Sequence, residues 1–370
     1  MANDTRLHYV NDAMPGIRRR GRGRFHYVSA NGLRIRDAET LARIRALAIP
    51  PAWSDVWICA DPQGHVQATG RDARGRKQYR YHPAWTRRRG RDKRERIIEF
   101  GAALPRLRRV LRKSLAMPGL PKEKVVAMVV AVMGATLVRV GNAEYAASNR
   151  SYGLTTLRNR HVQAARSGGL RFRFRGKSGK SQDVLLSDAR LARLVRRCQQ
   201  LPGQVLFQYV DAQGDAQPID SSDVNEWLHA TMGEEFSAKD FRTWGATMLA
   251  FKALARAELP TGEDSGPAPE RVLVAIENAA IEEVAAVLGN TRAVCRSAYI
   301  DPSLFPAWRS GQLERYARGA RGERQWEAAT LRFLRARRKD AERCARSGNA
   351  TASRMSLVGP PGLEPGTKGL

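Results

Sequence analysis

The first hundred residues alternate hydrophobic and polar positions over short runs separated by turn-forming residues, a pattern typical of β-hairpins. Asn31 and Gly32 form the first turn signal, because both tolerate the positive φ that a type I′ turn needs. Residues 61–64 form the second. Between the two hairpins, Asp37 precedes apolar positions at helical spacing, which predicts one short capped helix. We therefore predict a β-rich domain over residues 1–96.

From residue 97 to about residue 302 the hydrophobic period becomes that of amphipathic helices. Pro105, Pro118 and Pro121 predict breaks between the first helical segments. Two apolar or alternating runs within residues 170–187 interrupt the helices and predict a small β-hairpin. The sequence thus predicts an α+β protein in which a mainly α-helical second domain carries one hairpin insert.

Capping residues mark the later helices of this second domain. Asp220 and Ser237 each open a helix, and Gly289 ends the helix that begins at Glu270. We expect a loop over 260–269. Beyond residue 302 the pattern predicts a basic helical extension over 303–346 and an unstructured Gly/Pro-rich tail over 347–370.

The charge of the chain indicates what class of partner the protein binds. Its 370 residues contain 64 Lys plus Arg against 36 Asp plus Glu, a formal net charge of +28, and 42% are hydrophobic. That hydrophobic content is enough for folded cores and argues against a disordered basic tail. Such an excess in a folded chain points first to nucleic acid. No apolar run is long enough to span a membrane and the start does not resemble a signal peptide, so we expect a cytoplasmic protein without membrane contact.

The motifs give little evidence for a metal site or a nucleotide-binding site. The four cysteines, Cys59, Cys198, Cys295 and Cys344, are scattered without a CxxC pair, and the six histidines include no HExxH. The run GKSGKS looks like a phosphate-binding loop, but Phe174 and Arg171 stand where its first glycine is required. We therefore expect no metal, no cofactor and no bound nucleotide.

A dispersed set of residues has the chemistry of phosphoryl transfer: Arg139, Lys177, Arg242, Asn290 and Tyr299. Such a reaction needs cations around the phosphate oxygens, an in-line nucleophile and a proton donor for the departing alkoxide. Arginine forks suit the oxygens, a lysine on a hairpin can donate a proton, and a tyrosine can attack. The spacings alone are not diagnostic.

The motifs around these residues resemble those of the bacterial, poxvirus-like type IB DNA topoisomerases. RVGNAEYAASNRSYGLTTLRNRH, FRFRGKSG, FRTWGAT and VLGNTRAVCRSAYIDP follow in the family's order, and IPPAWSDVWIC and QATGRDARGRKQYRYHPAW resemble its N-terminal domain. The resemblance implies a tyrosine recombinase-like core in the second domain. It also implies Tyr299 as nucleophile, Arg139 and Arg242 as phosphate clamps, Lys177 as general acid and Asn290 as a further phosphate contact. Lys180 is the alternative acid.

The resemblance implies relaxation of supercoiled duplex DNA through a covalent 3′-phosphotyrosine, strand rotation and religation, without ATP or metal. We expect a nucleoid-associated monomer that clamps around duplex DNA. The candidate DNA contacts are Arg71, Arg76, Lys77, Tyr79 and Tyr81 in the first domain and Tyr145 in the second.

Two other functions fit part of the pattern. A tyrosine site-specific recombinase shares the Arg, Lys, Arg, Tyr chemistry, but it has a helical domain where residues 20–85 predict hairpins. A non-catalytic architectural protein would explain the charge, but not the five intact candidate residues.

Overall fold

The computed structural model describes residues 7–355 except 22, 74, 167 and 261–267, and for 87–94 and 345–355 only the backbone is described. The chain divides into two compact units, Met1–Glu95 and Arg96–Leu370. Arg74, among the arginines of the first unit, and most of the expected 260–269 loop lie outside the described residues.

The first unit contains a five-stranded antiparallel sheet of order β2-β1-β3-β4-β5. Its buried core includes Ile44, which helix α1 (Ala38–Ala46) supplies, and Ile58 of the sheet. The predicted N-cap is confirmed, because the Asp37 carboxylate accepts from the Thr40 amide at 2.7 Å. The strands are β1 (Gly16–Arg20), β2 (His26–Val28), β3 (Ser54–Cys59), β4 (Val66–Arg71) and β5 (Lys77–Tyr81).

The hairpin at Asn31-Gly32 is shorter than the sequence predicts. Only the single bridge Val28–Arg34 extends past the turn, because the helix cap at Asp37 follows almost at once. The main pairing partner of β2 is β1, a strand that the hydrophobic pattern does not predict. Three of the five residues of β1 are arginines, so its hydrophobic signal is weak.

The second unit is mainly helical. A long helix that begins in the first unit and continues into the second contradicts one sequence expectation. Helix α2 (Pro83–Leu115) contains Pro105, which was expected to break the helix. Proline removes one backbone donor from a helix interior. The neighbouring Leu104 and Leu107 are buried in the core, and this packing supports a continuous helix. Pro118 and Pro121 do separate α2 from α3 (Lys122–Thr136), and α3 is buried almost all round.

The predicted hairpin insert is present and is larger than expected. Strands β7 (Leu170–Arg175) and β8 (Ser181–Leu186) pair as predicted, and β6 (Val162–Ala164) adds a third strand. A second small hairpin joins β9 (Gln208–Val210) to β10 (Ala216–Pro218). Both additions are built from strands three residues long, too short for a period to be visible in the sequence.

The remaining helices begin and end close to the predicted caps. Asp220 accepts from two amides of its helix, and Gly289 ends α8 with φ 62°. The helices are α4 (Ala143–Asn149), α5 (Ala189–Gln199), α6 (Ser221–Met232), α7 (Ala238–Arg256), α8 (Glu270–Leu288) and α9 (Arg292–Ala298).

The extension after residue 302 forms α10 (Leu304–Arg309), α11 (Gln312–Ala317) and α12 (Glu323–Met355). Trp308, Trp326 and Phe333 are buried in the same core as α7, so the start of the extension is part of the second unit. Helix α12 continues to Met355, beyond the residue at which the sequence predicts an unstructured tail. The rest of that tail, 356–370, lies outside the described residues. None of the described helices is long and apolar enough to cross a membrane.

Candidate active site

Arg242 lies buried in the second unit, with 4% of its surface exposed. One terminal nitrogen of its guanidinium donates to the carbonyl of Leu137, and Nη2 donates to the carbonyl of Leu288 at 2.9 Å. Leu137 caps the C-terminus of α3 and Leu288 is the last residue of α8. Two helix C-termini, each the negative end of its dipole, therefore hold this cation. Its Nε has no hydrogen-bond partner among the described residues.

Arg139 follows α3 in an extended segment that a neighbouring 3₁₀ turn fixes. Its carbonyl accepts from the Leu154 amide at 2.9 Å. Gly141 has φ 113°, and a Cβ on Gly153 would lie 2.6 Å from the Gly141 Cα. Both glycines are thus required for the close approach of these two segments. From this base, Arg139 Nη2 donates to Asn290 Oδ1 at 2.7 Å.

Asn290 sits on the short turn between α8 and α9, directly after Gly289. Its Oδ1 is occupied by Arg139, which leaves the amide nitrogen as the group that can bind a substrate oxygen. That Nδ2 is buried and has no hydrogen-bond partner among the described residues. The site therefore contains two buried donors, Asn290 Nδ2 and Arg242 Nε, that no described residue pairs with, and such groups are costly unless a ligand pairs with them.

Tyr299 follows α9 and is half-buried. The Arg242 guanidinium carbon lies 5.3 Å from the centroid of its ring. Burial alone would raise the pKa of Tyr299, but the charge of Arg242, with Arg139 and the Asn290 amide, lowers it below its ordinary value. The surroundings of this phenol therefore favour the nucleophilic phenolate.

Lys177 is the one predicted catalytic residue that the structure does not bring to this cluster. It lies exposed on the loop between β7 and β8, and it makes no hydrogen bond or ion pair with any described residue. The strand next to this loop does reach the site, because a Cβ on Gly289 would lie 2.4 Å from Nε2 of Gln182, the second residue of β8. The charge of Lys180, the alternative acid, acts on buried Cys295.

The candidate aromatic DNA contacts are all exposed. Tyr79 and Tyr81 share one face of β5, and their rings stack at 5.8 Å with an angle of 10° between planes. Tyr145 lies on α4 with 62% of its surface exposed. None of these three rings is buried in a core, so all three remain available to a partner.

The candidate basic contacts of the first unit are each paired with a carboxylate. Lys77 Nζ lies 2.7 Å from Asp12, and this contact raises the pKa of Lys77. Arg76 lies 2.7 Å from Asp72, and Arg71 lies 3.7 Å from Asp55. All three cations are exposed, so these pairs are of the weak surface kind that a phosphate can replace.

Sequence reasoning missed the residues that hold the site together. The two leucine carbonyls that bind Arg242 have no sequence signal, because any residue supplies a carbonyl. Thr247 and Glu277 contact the segment around Tyr299 from α7 and α8. Glu277 could have been suspected as an acidic residue in a predicted apolar helix. Among the described residues, no group of three or more His, Cys, Asp or Glu side chains could hold a metal ion.

Comparison with known proteins gives two family matches and one similar curated protein. Residues 82–304 match the model of "Eukaryotic DNA topoisomerase I, catalytic core", and residues 24–72 match "Bacterial DNA topoisomerase IB, N-terminal domain". The DNA topoisomerase 1B of Acanthamoeba polyphaga mimivirus is 32% identical over 246 residues, which cover 65% of this chain and 73% of the viral protein. The first match includes all five candidate catalytic residues.

Proposed function

Because the chain belongs to the type IB DNA topoisomerase family, we propose that Tyr299 is the nucleophile with which it cuts one strand of supercoiled duplex DNA. The observation that supports this assignment is the position of the Tyr299 ring, whose centroid lies 5.3 Å from the guanidinium carbon of buried Arg242. The Nε of that arginine has no hydrogen-bond partner in the part of the chain that the structure describes. A phosphodiester beside Tyr299 would pair with that Nε and with Asn290 Nδ2. Positioned donors of this kind stabilise the charge that develops on phosphate oxygens.

The chemistry is an exchange of phosphate esters. The Tyr299 phenolate attacks the phosphorus, a new P–O bond to tyrosine forms, and the bond to the 5′ oxygen breaks. The tyrosine proton leaves to solvent when the phenol ionises. One ester replaces another, so resealing by the 5′ hydroxyl needs no nucleotide hydrolysis. Between the two steps the cut duplex rotates and loses supercoils.

Lys177 is proposed as the general acid that protonates the departing 5′ oxygen. The lysine is exposed on the loop between β7 and β8 and has no partner among the described residues. Gln182, the second residue after this loop, lies beside the turn that carries Asn290. Bound DNA would then bring the loop to the leaving group. Lys180 on the same loop is the second candidate for this proton.

We also propose that the enzyme works as a monomer that closes around duplex DNA at the nucleoid. Arg139 contacts Asn290 and Arg242 lies beside Tyr299 within a single copy of the chain, so this cluster needs no residue from a second copy. The proposed DNA contacts outside the site are exposed Tyr145 and, in or between β4 and β5, Arg71, Arg76, Lys77, Tyr79 and Tyr81.

A site-specific recombinase is the nearest alternative, because it would use the same groups. The match of residues 24–72 to a bacterial topoisomerase IB N-terminal domain favours the topoisomerase. A recombinase would also require defined sites, whereas a topoisomerase relaxes any supercoiled plasmid.

The direct test is plasmid relaxation in EDTA without ATP. We expect the parent to relax both positive and negative supercoils, and Tyr299→Phe to relax neither. Tyr316→Phe is the matched control, because Tyr316 is another partly buried tyrosine of the second unit that lies on α11. Full activity of Tyr299→Phe would overturn the nucleophile assignment, and a need for a defined sequence would favour the recombinase.

A further inference from the structure

One side chain of α7 forms hydrogen bonds to the segment that carries Tyr299. Thr247 of α7 is completely buried. Its hydroxyl donates to the carbonyl of Tyr299 at 3.2 Å and accepts from the amide of Asp301 at 3.2 Å. A single hydroxyl thus binds the backbone at Tyr299 and at a second point just beyond it.

A side chain of α8 also forms hydrogen bonds to this segment. Glu277 has 1% of its surface exposed and accepts from Arg296 at 3.1 Å and from Arg309 Nε at 2.6 Å. Arg296 precedes Tyr299 and Arg309 follows it. The Arg296 guanidinium also lies 4.3 Å from the centroid of the Phe305 ring. Both sides of the tyrosine are therefore anchored on one buried carboxylate.

These anchors matter because Tyr299 lies outside regular structure. Helix α9 ends at Ala298, and Tyr299 has φ −124° and ψ −38°. Helix geometry therefore does not fix the direction of this side chain, although its amide still bonds to the carbonyl of Cys295 at 3.1 Å. In-line attack tolerates little displacement, and a shift of about 1 Å can cost about 100-fold in rate.

We propose that Thr247 is a positioning residue for the nucleophile, with Glu277 as a second anchor. Arg242 and Thr247 lie on the same helix, so α7 holds the phosphate-binding cation and the backbone of the attacking residue in one rigid frame. The two side chains touch no reacting atom, and they act through the place they give to Tyr299. This inference rests on the proposed role of Tyr299.

The test compares Thr247→Val with Thr247→Ser. Valine keeps the shape and removes the hydroxyl, whereas serine keeps the hydroxyl. Thr330→Val is the matched control, because Thr330 is also completely buried on a helix and its hydroxyl bonds to the carbonyl of Trp326 at 2.8 Å. Each variant is measured for thermal unfolding, duplex affinity and single-turnover cleavage at saturating enzyme.

We expect Thr247→Val to slow cleavage about 10- to 100-fold with unchanged duplex affinity, and Thr247→Ser to recover most of the rate. Thr330→Val should lower the melting temperature to a similar extent and leave cleavage at the parental rate. Equal cleavage by both valine variants would overturn the proposal. A loss of rate in Thr247→Ser as large as in Thr247→Val would do the same.

Two further variants ensure that the experiment supports or contradicts the proposal in every case. If Thr247→Val does not fold, Glu277→Gln tests the second anchor, and cleavage at the parental rate would contradict the proposal. Tyr299→Phe in the same assay separates the positioning role from the proposed function. Cleavage by Tyr299→Phe defeats the proposed function itself, whereas an inactive Tyr299→Phe beside a fully active Thr247→Val defeats only the positioning role.

Discussion

The basic residues of the candidate active site lie in surroundings opposite to those of the β4–β5 edge, which consists of Arg71, Arg76 and Lys77 around the loop between β4 and β5. Arg242 is buried and is held by two backbone carbonyls, and its Nε is unpaired among the described residues. Arg76 and Lys77 are exposed and are paired with carboxylates. A neutral backbone acceptor fixes a cation without cancelling its charge, whereas a carboxylate neutralises it. In the function proposed above, the cluster would therefore act on one phosphate, and the edge would make exchangeable contacts with several.

The largest effect should come from removing the buried cation. Arg242→Gln deletes a fixed donor set for the phosphate oxygens, and we expect single-turnover cleavage to fall about 100- to 1,000-fold. Arg76→Gln is the matched change at the exposed edge and should leave that rate within about 2-fold of the parent at saturating enzyme. Equal reductions of the rate in the two variants would remove the distinction between the regions.

The next effect concerns the proton donor. We expect Lys177→Ala to slow cleavage by about 100-fold and to leave duplex affinity nearly unchanged, because a general acid acts in the transition state. Lys180→Ala is its control on the same loop. A larger reduction of the rate in Lys180→Ala would assign the proton to Lys180, and a change in affinity alone would make Lys177 a backbone contact.

A smaller effect should appear in the pH dependence of cleavage. The positive charges of the cluster lower the pKa of Tyr299, so the rate should rise with pH as the phenol ionises, with a midpoint below the ordinary tyrosine pKa of about 10. Arg139→Gln removes one positive charge, which raises the pKa of Tyr299 and moves the plateau to higher pH. The midpoint of the profile is the measurement. An unchanged midpoint would show that Arg139 does not tune the phenol.

The smallest effect on rate, and the clearest on binding, should come from the exposed edge. Replacement of Arg76 and Lys77 by Gln should reduce the slope of log affinity against log salt by about 1 for each phosphate that is no longer neutralised. Cleavage at saturating enzyme should stay close to the parental rate. An unchanged salt slope would show that these residues keep their carboxylate partners on DNA.

The sequence allowed the cluster's members to be predicted better than their arrangement. Local signals such as the Asp37 and Asp220 caps and the Gly289 helix end are confirmed, because each depends on a few adjacent residues. Family motifs pointed to Arg139, Arg242, Asn290 and Tyr299, which the structure brings together. Pro105 was misjudged because core packing outweighed a local preference.

The supports of the site could not be predicted from the residues alone. The carbonyls of Leu137 and Leu288 act through backbone geometry, which has no residue signature. Thr247 lies inside the FRTWGAT motif, but only the fold shows that its hydroxyl meets the backbone at Tyr299. Long-range interactions of this kind depend on how α3, α7 and α8 pack.

The most direct test of Tyr299 as the nucleophile is to locate the covalent DNA adduct. The enzyme is trapped on a nicked duplex that cannot religate, denatured and digested with trypsin, and the modified peptide is sequenced by mass spectrometry. Cleavage after Arg296 and Arg309 yields residues 297–309, in which Tyr299 is the one tyrosine. We expect a nucleotide 3′-phosphate on Tyr299 in that peptide. An adduct on any other residue, or cleavage with no denaturant-stable adduct, would contradict it.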